Sequence, residues 1–412
     1  MEIFERLESA VRFYARSFPE VFVSAKGARL RGRSGREYID FFSGAGALNY
    51  GHNDEGMKQA LIAYLSGDGV VHTLDMASEA KETFLTAFKE TILEPRGMDH
   101  RMLFTGPTGT NAVEAALKLA RKATGRKTVV SFLDGFHGMT AGALAVSRRG
   151  LAPGDPLPSV GDSVFLLYDG AKGNNFDTLD EMASLLSSGG DLPAACIVET
   201  IQAEGGIVAA SMDWLRRLRG LCTEAGVVLI VDDVQTGCGR TGTFFSFEPA
   251  GIVPDIVCLS KSLSGMGLPM AMVLVRPAFD RLEPGEHTGT FRGHVPAFIT
   301  ATEALRFWHD DNLTREVEAK AKIVKSGLER IIENHPGTLV PPVRGRGLIQ
   351  GLETRSGETA KRISAEAFAR GLIIETTGPE QEVLKVLCPL TIPETDLKAG
   401  LTILDEAVTA AV

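Results

Sequence analysis

Lys261 closes the run Ile256-Val-Cys-Leu-Ser-Lys261, where an apolar stretch gives way to the Ser/Gly-rich turn Ser262-Leu-Ser-Gly265. An amine held there is partly removed from water, which lowers its pKa, and a neutral amine condenses with an aldehyde. Upstream, a second apolar run, Val227-Val-Leu-Ile-Val-Asp232, ends in a carboxylate. A charge in so apolar a strand costs several kcal/mol unless a cation meets it. A lysine able to carry an aldehyde and a carboxylate able to face a protonated ring nitrogen are two of the parts that pyridoxal phosphate (PLP) requires.

The other parts are a phosphate cradle and a flat apolar surface. Thr105-Gly-Pro-Thr-Gly-Thr110 leads straight into a helix-period pattern with Ala112, Ala116, Leu119 and Ala123 on one face. Free N–H groups at that helix start suit a dianion, with Gly109 permitting close approach and Thr110 adding a hydroxyl. Phe136-His137-Gly138 follows the strand-like run Thr128 to Leu133, which offers Phe136 as a ring to stack on the cofactor, with His137 beside it. Gly237-Cys-Gly-Arg-Thr-Gly242 matches the dinucleotide-binding G-x-G-x-x-G, but that motif must open a helix. Here Thr243-Phe-Phe-Ser-Phe-Glu-Pro249 follows, aromatic and ended by proline, which argues against a nicotinamide enzyme.

These residues need a scaffold. Between about 55 and 275, helical patterns alternate with continuous Val/Ile/Leu-rich runs at 128–133, 195–200, 227–232, 256–260 and 270–275. Unbroken apolar runs read as strands buried on both faces, hence an α/β domain with a mainly parallel sheet, whose ligands gather at the carboxyl ends of the strands. Residues 1–50, including Tyr38-Ile-Asp-Phe-Phe-Ser-Gly-Ala-Gly46, read as an N-terminal arm or part of a small domain, 51–295 as a large cofactor-binding domain, and 296–412 as a smaller α+β domain opened by a helical stretch that includes Glu303 to Ile332. Leu151 to Val160, rich in Pro and Gly, reads as a surface loop.

The 412 residues carry a net charge of −9 with no dominant basic stripe, which directs attention to small molecules rather than nucleic acid. Five scattered cysteines lack zinc spacing and fit a reducing compartment. No apolar run approaches the roughly 20 residues that span a bilayer, and no basic-then-apolar leader opens the chain, so a cytoplasmic protein is expected, with no metal and no membrane partner.

In order and over nearly the whole chain, these segments resemble the class III (omega-type) PLP-dependent aminotransferases of fold type I. Val231-Asp-Asp-Val-Gln-Thr-Gly-Cys-Gly-Arg-Thr-Gly242 followed by Ser260-Lys-Ser262 is the most specific stretch. The resemblance implies Lys261 as the cofactor lysine, Asp232 at the pyridine nitrogen, Gln235 near the ring hydroxyl, Gly109 and Thr110 at the phosphate, and Phe136 on the ring face. It further implies that Thr290 reaches the phosphate of a neighbouring subunit in a homodimer or higher oligomer. Arg344 would bind a substrate α-carboxylate, and Glu204 would pair with Arg344 as a switch. Within the class, Leu48-Asn-Tyr-Gly-His52, Phe104-Thr-Gly-Pro-Thr-Gly-Thr-Asn-Ala-Val-Glu114 and Cys238-Gly-Arg-Thr-Gly-Thr-Phe-Phe-Ser-Phe-Glu248 look like the subgroup that acts on L-2,4-diaminobutyrate and 2-oxoglutarate, the type used for ectoine and for diaminobutyrate-containing peptides and siderophores. The expected reaction is transfer of the amino group of L-glutamate to L-aspartate 4-semialdehyde. The alternatives are another omega-aminotransferase, using ornithine or 4-aminobutyrate, or an aminomutase. Tyr50 and the glycine turn 44–46 are the candidates for the distal substrate wall.

Overall fold

The computed structural model describes residues 2–147, 162–171 and 177–412. The Pro/Gly-rich stretch Leu151 to Val160 lies outside the described residues. The apolar runs form one seven-stranded sheet in the order Arg101–Phe104, Met272–Val275, Ile256–Leu259, Val228–Asp232, Ala195–Val198, Val129–Phe132, Ser163–Leu166. Met272–Val275 runs antiparallel to both its neighbours; the other pairings are parallel. Alternation along each strand splits its residues between two cores. Val130, Val198, Leu229, Val231 and Val257 join the core on one face, while Val129, Ile197, Val228, Ile230 and Ile256 join the other. Both faces are covered, which is why the strands read as continuous rather than alternating hydrophobics.

Helix Gly109–Thr124 buries Ala112, Val113, Ala116 and Leu119 on this second face, and Gly125 ends it in a left-handed conformation. The helical stretch expected over 303–332 is two helices. Val295–Ala304 passes through a short 3-10 turn, and Asn312–Asn334 starts afresh where Asp310 accepts the Asn312 N–H at 3.0 Å.

The first 40 residues pair and pack with the C-terminal part of the chain. Strands Phe22–Lys26, Arg29–Gly32 and Glu37–Asp40 form an antiparallel set, and the C-terminal strand Leu372–Ile373 adds in parallel beside Glu37–Asp40. Ile39, Phe41 and Tyr50 accordingly share a core with Leu352, Leu372, Leu384 and Leu404. A second C-terminal sheet orders Leu339–Arg346, Ile349–Thr354, Val383–Val386 and Glu375–Thr377, all antiparallel. Among the described residues no helix is long and apolar enough to cross a membrane.

Candidate active site

Asp232 ends the central strand and Lys261 follows the neighbouring parallel strand, so sheet geometry alone brings both to one edge. Lys261 holds φ 52°, a left-handed conformation that is costly for a residue with a side chain. The turn is pinned from outside: the Ser262 hydroxyl donates to Gly46 O at 2.7 Å and accepts the Asn49 N–H at 3.0 Å. Burial lowers the Lys261 pKa, against the charge of Glu204, and Lys385 lowers it further. The lysine is thereby prepared to act as a neutral amine.

A cavity of about 320 Å³ collects Gly109, Thr110, Phe136, His137, Glu204, Asp232, Gln235 and Lys261 along its wall. One end is the start of helix Gly109–Thr124, where the N–H groups of Gly109 and Thr110 have no preceding turn to bond. The cradle is kept open by a missing side chain: at Gly138, φ 128°, a Cβ would lie 2.3 Å from Thr110 Oγ1. Thr110 Oγ1 sits 2.7 Å from Thr140 Oγ1, whose hydroxyl donates to Glu114 at 2.6 Å. At the other end Asp232 Oδ2 meets His137 Nδ1 at 2.8 Å, and Oδ1 accepts the Val234 N–H at 3.2 Å. Burial works against a charged His137, but the hydrogen bond and charge of Asp232 outweigh it and raise its pKa. The adjacent Asp233 plays another part, tying the turn together through Thr236 and Ser246.

This arrangement fits PLP: a lysine whose pKa burial lowers, a buried carboxylate, a helix start with free N–H groups, and Phe136 line one cavity. Gln235 Nε2 donates to Ala45 O at 3.0 Å, so the glycine turn 44–46 abuts a cavity residue. Gly237–Gly242 opens no helix, in keeping with the argument against a dinucleotide site.

Three residues singled out from the sequence, one of them Thr290, expected at a neighbouring subunit's phosphate, do not line this cavity. Tyr50 is buried in the second core, stacks on Phe307 and accepts the Trp308 indole N–H at 2.8 Å. Thr290 is exposed and does not line the cavity. Arg344 is ion-paired with Glu353 and donates to Gly206 O at 3.0 Å. Glu204 instead meets a residue that motif reading missed: Lys385, wholly buried, with Nζ 2.6 Å from Glu204 and 2.9 Å from Glu375. Glu375 and Lys385 are direct cross-strand partners, so the sheet register sets the pair. Burial opposes the Lys385 charge, yet its two carboxylates raise its pKa, while burial pushes Glu375 up to about 7. Glu199 was also missed. It accepts the Phe136 N–H at 3.0 Å at the cavity wall, and burial pushes it up to about 7.

The class III aminotransferase model matches residues 13–408. A diaminobutyrate–2-oxoglutarate transaminase of Halalkalibacterium halodurans is 51% identical over 100% of this chain and 97% of its own length. One from Vibrio cholerae is 53% identical over 98% and 99%. Among solved structures, the ornithine aminotransferase of Toxoplasma gondii superposes with TM-score 0.85 at 26% identity, covering 99% of this chain and 94% of its own. A Bacillus anthracis aminotransferase gives 0.87 at 23%, covering 99% and 97%, a likeness of fold. With a seven-stranded PLP-transferase sheet of fold type I, a cavity that fits PLP and a family match over nearly its whole length, the chain belongs to the PLP-dependent class III aminotransferases.

Proposed function

We propose that the enzyme moves the amino group of L-glutamate to L-aspartate 4-semialdehyde, giving L-2,4-diaminobutyrate and 2-oxoglutarate in two half-reactions at one site. The substrate choice is carried by one observation: full-length relatives named for this reaction are 50–53% identical. When bound, PLP supplies an aldehyde and a protonated ring that accepts electron density. Lys261 Nζ would hold the cofactor and would carry the proton to and from the reacting carbon. Asp232, steadied by His137, would face the ring nitrogen, with Gln235 serving the ring hydroxyl and Phe136 the ring face. Gly109 and Thr110 hold the phosphate.

The α-carboxylate of glutamate needs a cation beside the reacting carbon, whereas the terminal amine of diaminobutyrate brings none of that charge. Lys385 is the cation we assign, with Glu204 covering it for one substrate and yielding it to the carboxylate of the other. The 2.6 Å contact supports this reading over an Arg344 clamp, because Arg344 is engaged by Glu353. A covered cation also avoids leaving a buried charge unpaired.

A homodimer completes the reading, with Thr290 reaching the partner's phosphate. Support comes from Thr290's exposure and from the apolar side chains of Val70, Val71, Leu74, Met76 and Phe291 left open to solvent. Five free, buried cysteines support a cytoplasmic setting.

The test is a panel of amino donors against 2-oxoglutarate with the PLP-loaded enzyme. Diaminobutyrate should give glutamate stoichiometrically. Turnover of ornithine or 4-aminobutyrate with negligible diaminobutyrate activity would overturn the substrate, and isomerisation of a single substrate without glutamate formation would point to a mutase.

A further inference from the structure

Lys385 Nζ is shared by two carboxylates that differ in their freedom to leave it. Glu204 lines the cofactor cavity, and its side chain is 21% exposed. Its backbone is tied down, since Glu204 O accepts the Thr377 hydroxyl at 2.9 Å and the Gly378 N–H at 3.3 Å, so the carboxylate can turn about its own side-chain bonds while the chain stays put. Glu375 is 4% exposed, does not line the cofactor cavity and stands on strand Glu375–Thr377 directly opposite Lys385. Its sheet pairing fixes it against the lysine, whereas the carboxylate at the cavity wall can move aside for a substrate.

The two contacts also differ in kind. Lys385 Nζ donates a hydrogen bond to Glu204 at 2.6 Å, whereas Glu375 Oε1 lies 2.9 Å from Nζ without hydrogen-bond geometry. Glu204 takes the bond; Glu375 answers the charge. When glutamate reacts at Cα, its α-carboxylate needs the side of the ammonium that Glu204 covers, so Glu204 must leave as the substrate arrives. A buried lysine stripped of its only counter-charge is strongly disfavoured, and that cost would lock Glu204 in place. With Glu375 fixed beside it, the ammonium stays answered while Glu204 is away, and the departure costs less. When diaminobutyrate reacts at Cγ, no carboxylate comes to that side, and Glu204 can stay.

We propose that Glu375 is a positioning residue for the glutamate half-reaction: a fixed counter-charge that holds Lys385 in place while Glu204 gives way to the substrate's α-carboxylate. It acts through Lys385, away from the cofactor cavity. This role rests on the reading of Glu204 and Lys385 as the substrate switch.

The test compares the two half-reactions in the holoenzyme, mixed in single turnovers with glutamate or with diaminobutyrate while the cofactor absorption band is followed. In Glu375→Gln the ratio of the glutamate rate to the diaminobutyrate rate should fall at least about 10-fold, as expected when a buried charge loses its remaining partner. A residue that merely supported the fold would lower both rates alike. A second arm needs no turnover. Either carboxylate alone answers the ammonium, so Glu204→Gln and Glu375→Gln should each change the holoenzyme melting temperature little, and the double variant should lower it by more than the two single changes together. An unchanged rate ratio in Glu375→Gln, or melting changes that simply add, would overturn the role. Glu204→Gln tests the reading beneath it and should raise the same ratio, because no carboxylate then has to leave. A ratio unchanged there too would mean that the switch itself is wrong, whereas a raised ratio there with none lost in Glu375→Gln would remove Glu375 alone.

Discussion

Glu204 lies 2.6 Å from the ammonium of Lys385, and Lys385 in turn lies 2.9 Å from Glu375, its neighbour across the sheet. A wholly buried lysine shared by two carboxylates is a costly arrangement unless every charge is answered. Replacing it by Lys385→Met leaves both carboxylates without their cation. Stability should fall by about 3–5 kcal/mol, read as the denaturant midpoint. A loss below about 1 kcal/mol would show that the ion pairs do not hold in solution.

The phosphate end depends on what is missing. Gly138→Ala places a methyl 2.3 Å from Thr110 Oγ1 at φ 128°, a region that side chains avoid. Thr110 must shift, and with it the first turn that holds the phosphate. Titration of the apoenzyme with PLP, followed by the cofactor absorption band, should show affinity weakened at least about 10-fold, the equivalent of roughly 1.4 kcal/mol.

Glu199 adds a pH dependence. Burial pushes its carboxyl from 4.5 up to about 7, so the folded state binds the proton more tightly than the unfolded one. The penalty is absent below pH 4.5, grows as pH rises through the window to about 7, and is constant above it. Glu199→Gln keeps an acceptor for the Phe136 N–H and removes the penalty. It should be more stable than the parent by up to about 3 kcal/mol above neutrality, with the difference vanishing at the acid end of a denaturation series. A difference that does not vary with pH would contradict the assignment.

Tyr50 separates packing from substrate binding. Tyr50→Phe removes the acceptor for the Trp308 indole N–H and should cost about 1–3 kcal/mol of stability. KM for every substrate should be unchanged, since the residue lies outside the cavity wall. A selective rise in diaminobutyrate KM would return Tyr50 to the substrate wall.

Lys261, Asp232, Gly109 and Phe136 were legible because each follows, or sits at, the end of a recognisable element, and the parallel sheet converts that position into proximity. Strands Arg101–Phe104 and Ser163–Leu166 escaped notice; they are the two edge strands of the sheet and are only partly buried. Lys385 escaped for a different reason. In Val383-Leu-Lys-Val386 it reads as the polar position of a short strand, and only the register opposite Glu375, together with the approach of Glu204, makes it a buried ion. Arg344 drew attention through its motif, yet its strand directs it to Glu353. The pairing of the N-terminal strands with Leu372–Ile373 was not legible because that partner lies at the far end of the chain.

The central claim is that Lys261, alone among the lysines, carries the cofactor opposite Asp232. Borohydride reduction of the PLP-loaded enzyme followed by peptide mapping tests it directly. The account predicts a pyridoxyl mass addition on Lys261 and none after Lys261→Ala; stoichiometric labelling of any other lysine in the unaltered enzyme would contradict it.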